Sequence, residues 1–292
     1  MRIMPDLTVE MKEYARSSGA DLVGVAPIDR FKDFPPEHSP ASIFPEAASV
    51  IIIGRRITRG TLRGTEEGTN LALYGSFGLS WLNMQFVATT TYEVTEWLED
   101  RGWEAAPIFP FPAEAYPQGV QVREGAPAPN VYPDFDHVAV ACGVAEMGYM
   151  GVALTPEFGH RQRWQMIITD APLEADPLLD AGLNAECRDC ADACPLGAID
   201  CDNEATISIA GRDFTVAGID YSECARCKNG AQANPYHSSG KPDRLAAICM
   251  RTCMIQLEAS GKLGTEFATP SRVRPAWAFN RSGDPVDMGG DA

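Results

Sequence analysis

At 292 residues, 45% hydrophobic and 22% charged, the chain has the composition of a soluble globular protein and room for two domains. Its net charge of −16 leaves no basic run to neutralise phosphates, which disfavours a duplex or tRNA partner; from Ala171 to Glu223 there are twelve acidic residues and two basic ones. No apolar run approaches the ~20 residues needed to span a membrane, and Met1 to Glu10 has no apolar core of a leader. A cytoplasmic, reducing and low-oxygen setting is the expectation.

Thr8 caps a first expected helix, Val9 to Ser18, which Gly19 ends. Asp21 to Pro27 reads as a buried strand, and Ala48 to Gly54, with Val50-Ile-Ile-Ile53, as an interior one. Arg55 and Arg56 follow at the end where open α/β sheets bind ligands, although a solvated strand end explains them equally well. Thr58 to Ser80 is polar and Gly-rich and reads as a flap. Tyr74 within it is a candidate proton donor, or packing. Ser80 to Arg101 has helical periodicity, and Trp103 to Phe109 reads as a strand. A proline-rich loop, 107–133, carries a short expected strand at Gly119 to Val122. A loop this long in a compact chain is often functional.

Asp134 and Asp136 precede an expected helix, Val138 to Met147, and either carboxylate suits an N-cap as well as catalysis. His137 is the best general-acid candidate by chemistry, against a simple packed or exposed role. Gly148-Tyr-Met-Gly151 and Pro156-Glu-Phe-Gly159 bring backbone close to a neighbour, and Arg161 to Thr169 alternates as a strand. Residues 170–184 link into the cysteine region. There, Thr206–Ile209 and Phe214–Val216 form an expected hairpin. A helix from Arg244 to Ser260 is expected, with Asp243 as N-cap and Gly261 as C-cap; beyond it lies a mobile tail that Arg272, Arg274 and Trp277 pin in part.

Eight of the nine cysteines fall between 187 and 253, the number two four-iron clusters require. Cys187, Cys190 and Cys194-Pro195 give C-x2-C-x3-C-P, the bacterial ferredoxin run short by one thiolate, whose place Asn184 takes. Cys224 and Cys227 form a second C-x2-C. Cys249 and Cys253 lie at i and i+4 on one helix face. Cys201 completes the count, though no motif fixes it and core packing explains it too. By the ferredoxin crossover, Cys194 should serve the cluster that Cys224 and Cys227 hold. Structural zinc is the competing reading of such spacings. The Cys-Pro step and the count favour iron. Cys142 reads as core.

Taken together, these motifs resemble the epoxyqueuosine reductase and reductive dehalogenase superfamily. The resemblance is carried by Ala20–Ala26, Phe44–Val50, Gly148–Gly151, Leu154–Gly159, Ile168–Pro177, Asn234–Arg244 and Cys249–Glu258, and covers residues 8–260. It implies an α/β (α+β) chain: a nitroreductase-like domain over 1–182, a ferredoxin-like double-cluster domain over 183–260, and a tail over 261–292. It further implies two [4Fe–4S] clusters relaying single electrons to a cobalamin held against Arg55, Tyr74, Gly148, Gly151, Pro156 and Gly159, with Asp136 or His137 supplying a proton. The expected partner is an electron donor of ferredoxin or flavodoxin type. The alternative is an electron-transfer or reactivating protein that serves a corrinoid enzyme. The acidic surface does not match the superfamily's tRNA-modifying members.

Overall fold

The computed structural model describes residues 5–112, 116–127, 130–183, 188–279 and 285–287. Its centre is a four-stranded antiparallel sheet in the order β1 (Leu22–Pro27), β2 (Ser49–Arg56), β6 (Gln162–Thr169), β3 (Ala105–Ile108). Successive strand residues face opposite sides, and the two faces carry separate cores. Leu22, Ala26, Val50, Ile52, Met166 and Ile168 pack under a short helix, Phe135–Ala141. Val23, Val25, Ile51, Ile53 and Ile167 pack under the first helix, Pro5–Ser17, and a long helical stretch, 71–99. Both faces are covered, so the strands read as continuous apolar runs.

The sheet being antiparallel, the rule that places ligands at the carboxyl ends of parallel strands does not apply to Arg55 and Arg56. The 71–99 stretch starts nine residues before the expected Ser80. It contains two π-helical segments, Gly75–Ser80 and Leu82–Val87. The glycines that suggested a flap have a steric reason: a Cβ on Gly78 would sit 2.5 Å from the Tyr74 ring. Side chains of β6 reach into the π segments. Arg163 Nε donates to the Gly78 carbonyl at 2.9 Å and Gln165 Nε2 to that of Asn83 at 2.8 Å. Such widened turns are a frequent mark of functional regions.

The Phe135–Ala141 helix is shorter than expected. It ends at Gly143, whose φ of +76° and tight approach to the Pro177 carbonyl suit only glycine. Glu146, expected in that helix, instead begins β4 (Glu146–Met147), which pairs with β5 (Ala153–Leu154). Its buried carboxylate accepts the backbone N–H groups of Ala181, Gly182 and Leu183 at 2.8, 3.2 and 2.6 Å, anchoring the approach to the cysteine region. The expected strand at Gly119 to Val122 does not form.

The hairpin is longer than the expected pieces: β7 (Ile199–Ile209) and β8 (Arg212–Ile219). Ala210 and Gly211 turn it with φ of +51° and +78°, both positive as a two-residue type I′ turn requires. Ile209, Phe214 and Val216 at its far end join the sheet's core. The last long helix, Ile248–Ala259, starts later than expected, and Asp243 is not its cap. Asp243 lies buried instead, where its carboxylate takes an ion pair from Arg163 at 2.5 Å and the Tyr74 hydroxyl as donor. Arg163 also donates to the Tyr74 oxygen at 2.8 Å. The tail is held as far as Trp277: Arg272 meets Glu66 at 3.2 Å, Arg274 meets Glu67 at 3.1 Å, and the Trp277 ring N–H donates to the Thr65 carbonyl at 2.9 Å.

Removing one member of a buried ion pair strands the other charge. Arg163→Met should therefore cost about 3–5 kcal/mol. Tyr74→Phe, which loses only hydrogen bonds to charged groups, should cost about 1.5–3 kcal/mol. Urea unfolding of both variants checks the order; equal and small losses would contradict a joint built on Arg163 and Asp243.

Candidate functional site

Four of the expected ligands converge. Cys194, from the Cys-Pro loop, and Cys224 and Cys227, from the Tyr221–Arg226 helix and its end, lie within electrostatic range of one another and of Cys249 on the last long helix. Cys224, Cys227 and Cys249 are buried, and burial raises all three thiols, Cys249 to about 12. Two buried arginines stand beside them. Arg244 faces Cys224 and Cys249, and Arg251 faces Cys227 and Cys249. Arg244 Nη2 donates to the Met150 carbonyl at 2.9 Å, while its Nη1 is buried with no partner among the described residues. A buried guanidinium with an unmet N–H edge, beside Cys224 and Cys249, favours negative charge there. Four thiolates around an iron–sulfur group supply it, so the donor set fits such a group.

A second set surrounds Tyr149. Cys190 and Cys253 line an apolar cavity of about 210 Å³ together with Tyr149, Met250 and Leu257. The Tyr149 hydroxyl hydrogen-bonds Cys201 and donates to Glu204 at 2.8 Å, and Arg188 stacks on its ring at 3.8 Å. Cys201 thus joins Cys190 and Cys253 by place, although its spacing gave no such signal. Cys187, and Asn184 in the missing-ligand position, lie outside the described residues. Among the described residues, no three His, Cys, Asp or Glu side chains form a site for a single metal ion.

A separate polar cavity has a volume of about 90 Å³. Asp136, His160, Arg163, His237, Lys241 and Asp243 line it. Asp134 is the helix cap, its Oδ1 accepting the N–H groups of Asp136 at 3.0 Å and His137 at 3.4 Å. Asp134 lines the cavity as well, alongside the Asp136 carboxyl. Burial, then the Asp134 charge, push the Asp136 carboxyl up to about 6. His160 is fully buried; its Nε2 bonds the Met250 carbonyl at 2.8 Å, and burial pushes it down to about 4, so it is neutral at neutral pH. Burial also lowers His237.

The other expected site residues are dispersed. His137 packs edge-on against Phe34 and is not among the cavity's lining residues. Tyr74 is fully buried, and burial holds its hydroxyl well above the ordinary phenol range, so it serves the Arg163–Asp243 pair rather than proton donation. Arg55 leans on the Phe86 ring in a separate groove. Gly151 touches the polar cavity, whereas Gly148 lines the cavity beside Cys190. Gly159, at φ +60°, leaves room for Met254: an added Cβ would meet its sulfur at 2.5 Å. Pro156 only accepts a backbone bond from Gly264 at 2.8 Å. The glycine loop therefore packs against the helix of Cys249 and Cys253 instead of cradling a ring. Arg163, Asp243, His160, His237 and Lys241 gave no functional signal by themselves. An arginine inside an otherwise apolar strand was the one available hint.

Comparison with known proteins finds partial likenesses. Tetrachloroethene reductive dehalogenase of Dehalobacter restrictus is 28% identical over 179 residues, covering 60% of this chain and 28% of that protein. One of the same name from Desulfitobacterium hafniense is 32% identical over 125 residues, covering 42% of this chain and 18% of that protein. This chain thus spans less than a third of the length of the curated relatives it matches. No family model matches it. Among solved structures, epoxyqueuosine reductase from Bacillus subtilis aligns at 20% identity and a TM-score of 0.43, over 66% of this chain and 52% of that one. A reductive dehalogenase described as B12-dependent aligns at 15% and 0.49, over 86% and 34%. No helix among the described residues is long and apolar enough to cross a membrane.

The Asp136 carboxyl gives a signed prediction. The folded state binds its proton more tightly than the unfolded chain does, so its stabilising contribution is full below about pH 4 and is lost as pH rises through about 6. Asp136→Asn should therefore gain stability relative to the parent chain between pH 4 and pH 7, as measured by urea midpoints. Parallel pH curves would contradict this placement of the carboxyl. The likeness carried by the motifs is borne out in sequence: over part of its length this chain is similar to tetrachloroethene reductive dehalogenases.

Proposed function

We propose that the protein is an iron–sulfur reductase that delivers single electrons to a small polar substrate in the cavity beside Asp136. The convergence of Cys194, Cys224, Cys227 and Cys249 from three separate segments carries this reading. The similarity to reductive dehalogenases supports it. The reading assigns Cys187, Cys190, Cys201 and Cys253 to a second group. Bound there, two [4Fe–4S] clusters would supply one-electron steps.

The chain's own residues do the rest. Arg244 and Arg251 hold positive charge against the inner thiolates, and Arg244 also ties them to the Met150 carbonyl. Arg163, held by Asp243 and Tyr74, and Lys241, 4.0 Å from Asp134, offer positive charge to the substrate. Asp136, protonated below about pH 6, gives the proton that follows the electrons. An electron-donor protein of ferredoxin or flavodoxin type is the partner this reading requires.

The corrinoid implied by the resemblance does not fit the cavity as the side chains stand. Its ~90 Å³ compares with roughly 300–1,000 Å³ for sites that take drug-sized ligands. No step is routed through such a group. Hydroxocobalamin added to the anaerobically reconstituted protein is expected to leave its own spectrum and the protein's thermal midpoint unchanged; a shift in both would return the corrinoid to the site.

The grouping of thiols makes a test by non-additivity. Cys224→Ala and Cys249→Ala should each lower bound iron by about half, and together by no more than either alone. Cys224→Ala with Cys253→Ala should remove nearly all of it. Iron loss that follows the number of cysteines replaced, whichever pair is chosen, would contradict the assignment.

A further inference from the structure

A second concentration of unpaired charge lies where the tail crosses the ends of the two inner strands, in a cavity that Arg251 also lines. Arg161, just before β6, is 3% exposed. Its Nη1 donates to the Ile57 carbonyl at 3.2 Å, while Nε and Nη2 are buried and have no partner among the described residues. Arg59 is in the same condition: one nitrogen donates to the Thr269 carbonyl at 2.6 Å, and Nε and Nη2 are buried without partners. Both guanidinium groups stack on Phe267, at 4.6 and 5.7 Å from its centroid. Stacking meets the faces of the two cations, not the N–H groups in their planes. Those edges belong to residues that line one enclosed cavity of about 10 Å³.

The carboxylates nearby are already engaged. Glu66 is held by Arg63 at 3.4 Å and Arg272 at 3.2 Å, and Glu258 accepts the Ser271 N–H at 3.0 Å. Arg59, Arg161 and Arg251 line the cavity with two carboxylates, Glu66 and Glu258, and Glu258 opposes the charge of Arg161, which leaves one positive charge in excess there. Leaving buried donors unmet costs about 1–3 kcal/mol each, more when they are charged. A water molecule has two lone pairs and cannot accept from the six N–H bonds that the four free nitrogens carry. A polyatomic oxyanion exceeds the space. A one-atom anion accepts four or more donors and matches the charge.

We propose that this cavity binds a single halide ion, chloride in solution, bridging the free N–H edges of Arg59 and Arg161. The ion joins the tail residues Phe267 and Thr269 to the ends of the two inner strands. It is independent of the reductase reading, because none of its donors faces the thiols or Asp136.

Thermal unfolding of the full-length, cluster-reconstituted protein in sodium chloride and in sodium gluconate of equal ionic strength tests it. Saturating chloride should raise the midpoint by about 2–4 °C. The difference should vanish in Arg161→Met, which keeps much of the side chain's bulk. Should that variant not fold, crystals of the parent protein soaked in bromide give the answer: one anomalous peak is expected between the two guanidinium groups. Equal midpoints in the two salts, or a water in place of the peak, would overturn the proposal. A peak with no midpoint difference would mean binding at crystal concentration only, and would overturn it as a site occupied in solution.

Discussion

The buried ion pair between Arg163 and Asp243 joins the two halves of the molecule. Arg163 belongs to the central sheet. Asp243 belongs to the segment between Cys227 and Cys249 and is 2% exposed. Desolvating two such charges is expensive and is repaid only by close geometry and further hydrogen bonds. Here Tyr74 gives its proton to the carboxylate, and Gly78 of the π-helical stretch accepts from the guanidinium. Three elements distant in sequence are thereby fixed at one point. The same point forms one wall of the polar cavity, and the segment it fixes carries Arg244, next in sequence, to the thiols.

Arg244 and His160, which line the polar cavity, bond to two buried methionines, Met150 and Met250, of the apolar cluster that holds Tyr149, Cys190 and Cys249. The methionine carbonyls are the acceptors. His160 stays neutral because burial opposes its charge. The Asp136 carboxyl is raised by burial and by its neighbour Asp134. Asp134 caps the helix, and both aspartates line the cavity.

Much of this was legible in the sequence. A Gly-bounded apolar run marked β2, a short buried run marked β1, and alternation marked β6. Cysteine spacing marked the candidate ligands. What could not be read depends on long-range contact. Asp243 looked like a helix cap because local pattern carries no knowledge of Arg163 on a distant strand. Gly78 looked like a loop residue because glycine is usually permissive rather than making room for a neighbouring ring. The Phe135–Ala141 helix ended early because Gly143 meets the Pro177 carbonyl, a contact invisible to periodicity. Tyr74 and Arg55, attractive as isolated residues, proved to be packing partners of other groups.

The central claim is that buried sulfur atoms gathered from separate segments bind inorganic clusters that deliver electrons one at a time. Electron paramagnetic resonance of the dithionite-reduced, anaerobically reconstituted protein, with iron and sulfide quantified on the same sample, tests it most directly. The account predicts about eight irons and eight sulfides per chain, and the split spectrum of two interacting reduced four-iron centres. A silent spectrum with stoichiometric zinc, or iron at a fraction of one cluster per chain, would contradict it.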